Sequence, residues 1–410
     1  MWSLLLLIAG AHGLTIPRPD ADSHPDESFI SFSIELSSFP EFAGNLSMPN
    51  TFTDNLLNNL GAIQGSKPYL RSYQTLPGVK FSHGFNLAKG ITPDGWQTLL
   101  DTAPLACKAL GKDRFYGYEY GNEPNNFPTS GKWSTRPKDW DAKPFTKEWL
   151  NGTRAIRKEM RKHCPDLPRK YLEYMAPSYD DRVHNLNATQ VWHNGLDRCN
   201  NINTYSVHKK AHNPLYIDGA TSPGVTLQHT LMNHTRSVLD VDEQVAEYKK
   251  IMASGPGHAP LIFGEHNSLY FQGKPGLSNS FGAALWGVDF NMYAAAKGFH
   301  RVHMHQGTNY RYQSWQPVET NNTAKGTKAP YYGNIAVASA LGNLKHGKTT
   351  SLCLTCTDTT PLSIERAHSP CRTLILDLRA ASSSLFPQAG RARRSACSGS
   401  WRMAVMRLRE

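Results

Sequence analysis

Long apolar runs are missing from the sequence: none reaches the roughly 18 residues that a membrane-spanning helix requires, which does not favour an integral membrane protein. Charged residues are also scarce, at 19% of the 410 residues, whereas 39% are hydrophobic and 10% are aromatic. A disordered chain has the opposite balance, so this composition indicates a folded protein with a sizeable core. The length suits one large α/β barrel or two to three ordinary domains.

Acidic residues are outnumbered, and the formal net charge is +11. From Thr349 onward, however, nine Arg are accompanied by no Lys and by only four acidic residues. Nearly half of the excess therefore lies in the last 62 residues, and the rest of the chain is only mildly basic. Nucleic-acid binding is not favoured, and a role as an extracellular polyanion binder rests on net charge alone.

Motifs for cofactors and metals are missing as well. No GxGxxG follows the first predicted strand, which argues against a doubly wound dinucleotide-binding sheet. Cys353 and Cys356 form a CxxC pair, but no second CxxC or His pair at metal spacing accompanies them. We therefore expect no cofactor and no metal site.

The N-terminus resembles a secretory signal peptide over residues 1–13. Leu4–Ala9 form a short apolar segment, and the small residues Ala11 and Gly13 suit cleavage; a buried N-terminal strand or helix start is the alternative. Five Asn-x-Ser/Thr sequons favour a secreted, extracellular glycoprotein: Asn45, Asn151, Asn187, Asn233 and Asn321. In such a chain one disulfide is expected among Cys107, Cys164 and Cys199, with its pairing open.

Short apolar segments alternate with amphipathic helices from about Phe29 to Leu344. The predicted strands are Phe29–Ile34, Pro68–Leu70, a strand starting at Val79–Phe81, Phe115–Tyr120, Tyr171–Met175, Ile202–Tyr205, Leu261–Phe263 and Arg301–Met304. Helical spacing is found at Trp149–Met160, Val241–Met252 and Phe281–Ala295. Eight strands interleaved with helices predict an α/β fold, a (β/α)₈ TIM barrel, over residues 14–348.

Two regions do not suit an intact barrel. Residues 71–78 leave no room for a crossover helix, because a parallel crossover needs about a dozen residues or more. Residues 349–410 contain two aromatics and no Lys, a composition typical of an aberrant, out-of-frame translation; a disordered basic tail is the alternative.

Two carboxylates follow predicted strands on opposite sides of the ring. Glu123 follows the fourth strand within Asn-Glu-Pro, and Glu265 follows the seventh within Gly-Glu. Barrel enzymes place their chemistry at the carboxyl ends of strands. Two carboxylates that face each other there suit glycoside hydrolysis, in which one attacks the anomeric carbon and the other protonates the leaving oxygen.

Several motifs resemble the fungal branch of glycoside hydrolase family 79, retaining barrel enzymes that include β-glucuronidases and heparanase-like enzymes. The resemblance covers roughly residues 29–345 and is carried by Phe32–Asn45, Pro77–Asn86, Tyr118–Pro124, Phe263–Tyr270 and Asn309–Pro317. It implies a secreted exo-β-glucuronidase acting on glycans that contain glucuronic acid or its 4-O-methyl form. A heparanase-like endo-β-glucuronidase is the close alternative.

The resemblance also implies roles for single residues. Glu123 would be the general acid/base and Glu265 the nucleophile. Substrate-binding residues would include Asn122 at the sugar 2-hydroxyl, Glu35 at another hydroxyl, and Tyr205, which would orient the nucleophile. The uronate carboxylate would be bound by phenol and backbone donors from Tyr270, Gln272, Gly273 and Tyr312. We interpret His208, His266, His303 and His305 as barrel packing or neighbours of the site rather than metal ligands.

The chain departs from the family in two places. Arg71 leads directly into Ser72, without the Arg-Val-Gly-Gly-Asn motif and long loop that the family carries after strand two. The tail at 349–410 does not resemble the family's C-terminal β-sandwich, so that domain is expected to be missing or replaced. The first departure allows a second function class, a catalytically dead sugar-binding relative.

Overall fold

The computed structural model describes residues 24–71, 76–129, 131, 134–180, 186–210, 224–254 and 259–345. The predicted signal peptide at 1–13, the tail at 349–410 and the Cys353–Cys356 pair lie outside the described residues. The same holds for residues 72–75, where the sequence predicts a missing segment.

Eight parallel strands pair in chain order and close into a barrel, so the predicted fold is confirmed. Strand β8 pairs with β1 over five residues, from Val302 opposite Ile30 to Gln306 opposite Ile34. The strands are β1 (Ile30–Ile34), β2 (Leu70–Arg71), β3 (Phe81–Phe85), β4 (Phe115–Tyr120), β5 (Tyr174–Tyr179), β6 (Ile202–Lys210), β7 (Leu261–Asn267) and β8 (Arg301–Gln306).

Helices follow every strand except β2 in the described part of the chain. They are α1 (Phe39–Ala43) and α2 (Thr51–Gln64) after β1, α3 (Pro93–Leu110), α4 (Ala142–His163), α5 (Ala188–His193), α6 (His234–Ser254), α7 (Phe281–Ala296) and α8 (Ala329–Leu341). Between β8 and α8, β9 (Trp315–Gln316) and β10 (Gly326–Thr327) pair antiparallel. Of the helices described, none combines the length and apolar content needed to cross a membrane.

Helix ends follow the local sequence. The side chains of Asn50, Thr92, Asp141 and Ser280 each accept a hydrogen bond from a backbone N–H in the first turn of α2, α3, α4 and α7. Such caps satisfy donors that the helix itself leaves unpaired.

The two faces of β1 contact different parts of the molecule, one the surrounding elements and the other the barrel interior. Phe32 points outward and meets the Trp315 ring edge-on, with ring centroids 4.9 Å apart. Ser33 points inward, where its Oγ lies 3.0 Å from His305 Nδ1. Since side chains alternate along a strand, the apolar core lies between the sheet and the helices, while the barrel interior can hold polar groups.

Strand β2 closes the ring although it has only two residues. Phe32 N–H donates to the Tyr69 carbonyl at 3.0 Å, and Leu70 N–H donates to the Lys80 carbonyl at 2.9 Å. The described part of its connection to β3, residues 76–80, forms no helix. Because residues 72–75 lie outside the described residues, the predicted loss of a crossover segment stays a prediction, while the described strands β1, β2 and β3 pair in order.

A disulfide joins Cys107 in α3 to Cys164, the residue after α4. The expectation of one bridge among the first three cysteines is confirmed, and Cys199 is free.

Two glycines within helices provide a test of the packing. A Cβ at Gly152 of α4 would lie 2.1 Å from the Tyr120 ring, whereas a Cβ at Gly287 of α7 would have no heavy atom within 4 Å. We expect G152A to lower the free energy of unfolding by about 1–3 kcal/mol through overpacking. G287A should raise it by up to about 1 kcal/mol, because alanine favours the helix. Urea unfolding of both variants measures this, and equal effects would contradict the described helix packing.

Candidate active site

Glu123 lies just beyond the carboxyl end of β4, where the chain turns into a short 3₁₀ helix at Pro124–Asn126. Its backbone is left-handed, with φ 46° and ψ 52°, a conformation that residues other than glycine rarely adopt. Its N–H donates to the Ser178 carbonyl at 3.0 Å. This contact to β5 helps to hold the strained turn, which directs the carboxylate over the barrel.

The residues after Glu123 anchor this turn to Asp180, which follows β5. Asn125 Nδ2 donates to Asp180 Oδ1 and Asn126 Nδ2 donates to Asp180 Oδ2, both at 2.8 Å. Asn126 Nδ2 also donates to Glu123 Oε2 at 3.2 Å. The Asn-Glu-Pro-Asn-Asn sequence therefore supplies both the carboxylate and its support.

Glu265 belongs to β7, in register with His208 of β6. The preceding residue has to be glycine, because a Cβ at Gly264 would lie 2.1 Å from Ser206 Oγ. This close approach of β7 to β6 explains the Gly-Glu pair physically. Glu265 is largely buried, with 11% of its side chain exposed.

His208 lies between the two carboxylates. Its Nδ1 is 3.1 Å from Glu123 Oε1 and 4.0 Å from Glu265 Oε2. On the opposite edge of the ring, Nε2 is 3.6 Å from Glu119 Oε1, a carboxylate buried within β4. The imidazole thus contacts three carboxylates from inside the barrel.

One carboxylate oxygen of Glu123 and one of Glu265 lie within 4.8 Å of each other. Retaining glycosidases hold their carboxyl groups about 5–5.5 Å apart, and inverting enzymes about 6.5–9.5 Å. The short separation leaves no room for a water molecule between an inverting pair, so the geometry suits double displacement.

Two adjoining cavities meet at this pair. The larger has a volume of about 620 Å³ and the smaller about 310 Å³, and Glu35, Asn122, Glu265 and His305 line both. Of the nine residues predicted from the sequence, eight line the larger cavity: Glu35, Asn122, Glu123, Glu265, Tyr270, Gln272, Gly273 and Tyr312.

Tyr205 is the exception, and its predicted role is wrong. Its ring packs on Trp192 of α5 and Tyr248 of α6, outside the barrel. Burial, followed by the Glu247 carboxylate, raises the pKa of its phenol. The sequence placed the end of the sixth strand at Tyr205, whereas β6 continues to Lys210. His208, three residues later and on the inner face, therefore occupies the place predicted for Tyr205.

Two of the predicted uronate donors already make hydrogen bonds, one between the loops after β8 and β7 and one within the loop after β7. The Tyr312 hydroxyl donates to the Phe271 carbonyl, and Gly273 N–H donates to the Tyr270 carbonyl. A Cβ at Gly273 would lie 2.7 Å from Ser278 Oγ, so this tight loop requires glycine. Arg311, which the sequence reasoning did not include, lines the same cavity.

Glu35 and His305 line both cavities and lie close to each other. Tyr310 Oη donates to Glu35 Oε2 at 3.3 Å, and burial together with that carboxylate raises the pKa of Tyr310. His305 Nε2 lies 3.9 Å from Glu35 Oε2, and its Nδ1 lies 3.5 Å from Glu265 Oε2.

The four histidines separate into two pairs. His208 and His305 neighbour the carboxylates. His266 stacks on Phe290 of α7, and His303 Nδ1 lies 2.9 Å from the Phe263 carbonyl. The sequence interpretation as neighbours of the site fits His208 and His305, and the interpretation as barrel packing fits His266 and His303.

A (β/α)₈ barrel with two close carboxylates at the carboxyl ends of β4 and β7 is the arrangement found in retaining glycoside hydrolases of this fold. No family model matches the chain. It is 48% identical over 360 residues to a β-glucuronidase of Neurospora crassa and 46% identical over 376 residues to one of Aspergillus niger. These matches cover 77% and 80% of the chain, and 63% and 68% of the relatives.

The chain belongs to the family of these fungal β-glucuronidases. A 4-O-α-L-rhamnosyl-β-D-glucuronidase from Fusarium oxysporum shares the fold, with a TM-score of 0.60, 17% identity, and 83% and 78% of the two chains covered. The chain spans less than two thirds of the length of the Neurospora relative.

The left-handed backbone at Glu123 can be tested by comparing E123G with E123A. Both variants lose the carboxylate and its hydrogen bonds, but only alanine keeps a Cβ, which is unfavourable at positive φ. We expect E123G to be more stable than E123A by about 1–2 kcal/mol in urea unfolding. An alanine variant as stable as the glycine variant would contradict strain at this position.

Proposed function

We propose that the chain is a secreted, retaining exo-β-glucuronidase of glycoside hydrolase family 79. Its substrates would be oligo- or polysaccharides that carry terminal glucuronic acid or its 4-O-methyl form. The observation that carries this proposal is the Glu123–Glu265 pair, within 4.8 Å, inside a cavity lined by the predicted uronate-binding loop. The fungal relatives support the sugar class.

In the first step, Glu265 attacks the anomeric carbon while Glu123 protonates the leaving oxygen, and a glycosyl-enzyme forms. In the second step, Glu123 deprotonates a water molecule that attacks the same carbon and releases Glu265. One negative charge thus moves from Glu265 to Glu123 and back. His208 Nδ1 faces both oxygens, at 4.0 Å and 3.1 Å, so it can interact with this charge in either position.

Specificity for a uronate needs donors around the C6 carboxylate. Tyr270, Gln272 and Arg311 line the larger cavity together with Asn122. Arg311 would add a positive charge to the phenol and backbone donors expected from the sequence. A glucuronide in this cavity would place its 2-hydroxyl at Asn122 and its carboxylate at these donors.

Three features support secretion: the predicted leader, the sequons and the disulfide. Asn45, Asn151, Asn187 and Asn321 are exposed in the fold, and Asn233 is half-buried. The Cys107–Cys164 bridge is typical of oxidising compartments.

The loss of a segment after β2 favours a second candidate, a sugar-binding relative without activity. The match to the Neurospora protein runs over 360 positions, more than 77% of a 410-residue chain. The alignment therefore includes positions that have no counterpart in this chain.

In a chain that carries the aligned segment of the Neurospora relative after Arg71, we expect E265A to abolish turnover of every aryl β-glucuronide, because no nucleophile remains. E123A should retain activity on aryl β-glucuronides with acidic leaving groups, which need little protonation, and lose about 10²–10⁴-fold on those with basic leaving groups. The measurement is kcat for a series of leaving groups.

Y205F serves as the matched control, since its phenol lies outside the barrel; its kcat should stay within about twofold of the parent chain. Equal and complete loss in E123A across all leaving groups would overturn the roles given to the two carboxylates.

We expect the chain as written to be inactive, because the β2–β3 connection in its sequence is too short for the loop that the family carries there. Inserting the aligned segment of the Neurospora relative after Arg71, with and without its C-terminal part, should restore glucuronidase activity. Soluble yield and hydrolysis of an aryl β-glucuronide are the readouts. Soluble, active protein from the unmodified sequence would show that these pieces are dispensable.

A further inference from the structure

Two carboxylate–imidazole units point at the same carboxylate oxygen. In one, His208 lies between Glu119 and Glu265 Oε2; in the other, His305 lies between Glu35 and the same oxygen. In both units Nδ1 faces Glu265, at 4.0 Å and 3.5 Å, and Nε2 faces the outer carboxylate, at 3.6 Å and 3.9 Å.

This arrangement matches the surroundings of histidines that bind metals. Such a histidine directs one ring nitrogen at the metal and the other at a carboxylate, which fixes the tautomer and the ring orientation. Glu119 is placed to do this for His208, and both side chains are almost fully buried, with 2% and 1% exposed. Similarly, Asn126 holds Glu123 Oε2 and leaves Oε1 on the side of His208.

The donor spacing comes close to that of a tetrahedral ion: two donor pairs lie 3.1 Å and 3.5 Å apart, and the 4.0 Å gap between His208 Nδ1 and Glu265 Oε2 would close on binding. Zinc holds nitrogen and oxygen ligands at about 2.0–2.2 Å, so neighbouring ligands of a tetrahedral site lie about 3.3–3.6 Å apart. Glu123 Oε1, His208 Nδ1 and Glu265 Oε2 lie within 4.8 Å of one another. His305 Nδ1 is a fourth donor at 3.5 Å from Glu265, and it would give up its contact with the Ser33 hydroxyl.

We propose that Glu123, His208, Glu265 and His305 form a Zn²⁺ site, and that Zn²⁺ bound there blocks the sugar-binding cavity. The blocking of hydrolysis rests on the proposed function, whereas the metal site does not. Two imidazoles and two carboxylates favour Zn²⁺ over Mg²⁺ or Ca²⁺, which prefer sets of oxygen ligands. The ion would be a reversible inhibitor, because retaining hydrolysis by the carboxylate pair needs no metal.

Calorimetric titration of the untagged, metal-free full chain at neutral pH tests the site. We expect saturable binding of one equivalent of Zn²⁺ and no comparable binding of Mg²⁺ or Ca²⁺. H208Q should weaken Zn²⁺ binding by about 100-fold and E119Q, which keeps the shape of the side chain, by about 10-fold. E265Q, which exchanges a carboxylate for an amide, should weaken it at least as much as E119Q.

Two variants serve as controls. H300Q removes a histidine that pairs with Asp26 at the other end of β8, and D240N removes a buried carboxylate that pairs with Lys209 outside the barrel. Both should bind Zn²⁺ like the parent chain. The absence of saturable Zn²⁺ binding would overturn the site. Zn²⁺ binding that is equally strong in H208Q, E119Q, the two control variants and the parent chain would overturn it as well.

Competition separates the metal site from the proposed function. If Zn²⁺ occupies the cavity, D-glucuronate and Zn²⁺ should exclude each other in the calorimeter. In the chain that carries the inserted segment after Arg71, Zn²⁺ should inhibit aryl β-glucuronide hydrolysis competitively. Zn²⁺ binding in an inserted chain that hydrolyses no glucuronide without metal would uphold the site and contradict the proposed function. Simultaneous binding of Zn²⁺ and D-glucuronate, or activation by Zn²⁺, would overturn the blocking role.

Discussion

The repulsion between Glu123 and Glu265 is the constraint on which the site depends. Two full charges within 4.8 Å of each other repel by at least about 3 kcal/mol at an effective dielectric constant near 20, so the pair needs either a shared proton or compensating donors. The barrel supplies compensation from three directions: the Asn126 amide, His208 between the carboxylates, and His305 behind Glu265. Each of these lies on the inner face of a strand or just beyond its carboxyl end, which is why a closed barrel is needed to bring them together.

Local backbone features bring the two carboxylates and their compensating groups into position. Gly264 lets β7 approach Ser206 of β6, which brings Glu265 level with His208. The left-handed backbone at Glu123 turns the carboxylate inward, and the Asn125–Asp180–Asn126 contacts stabilise that turn. Strain at one functional residue is tolerated because the buried hydrogen bonds around it leave the chain few alternatives.

The sequence predicted the barrel and most of the site, for reasons that the structure makes clear. The fourth strand, Phe115–Tyr120, was located correctly because Gly121 and Pro124 mark its end, so Glu123 was placed correctly too. The sixth strand shows the limit. Polar and basic residues after Tyr205 conceal the rest of the strand, since His208 is buried inside the barrel and Lys209 against Asp240 of α6 rather than in an apolar core. Because the end of the sixth strand was placed at Tyr205, the contact with the carboxylates was assigned to Tyr205 instead of His208. Hydrogen bonds such as Tyr312 to Phe271 also could not be predicted, because they depend on the exact path of a loop.

Strand β2 shows that stability and function depend on different parts of the same segment. Two residues are enough to close the ring, since backbone hydrogen bonds to β1 and β3 satisfy both of its edges. A crossover helix would add apolar packing outside the barrel, whereas the loop at the carboxyl end of β2 would lie above the cleft. The 310 Å³ cavity is lined by the ends of β1 and β3, the strands on either side of β2. The predicted loss of a segment after Arg71 would therefore remove a wall of the cleft next to Glu35 while leaving the Glu123–Glu265 pair in place. A chain of this kind can keep a complete pair of carboxylates and still fail to hold a sugar against it.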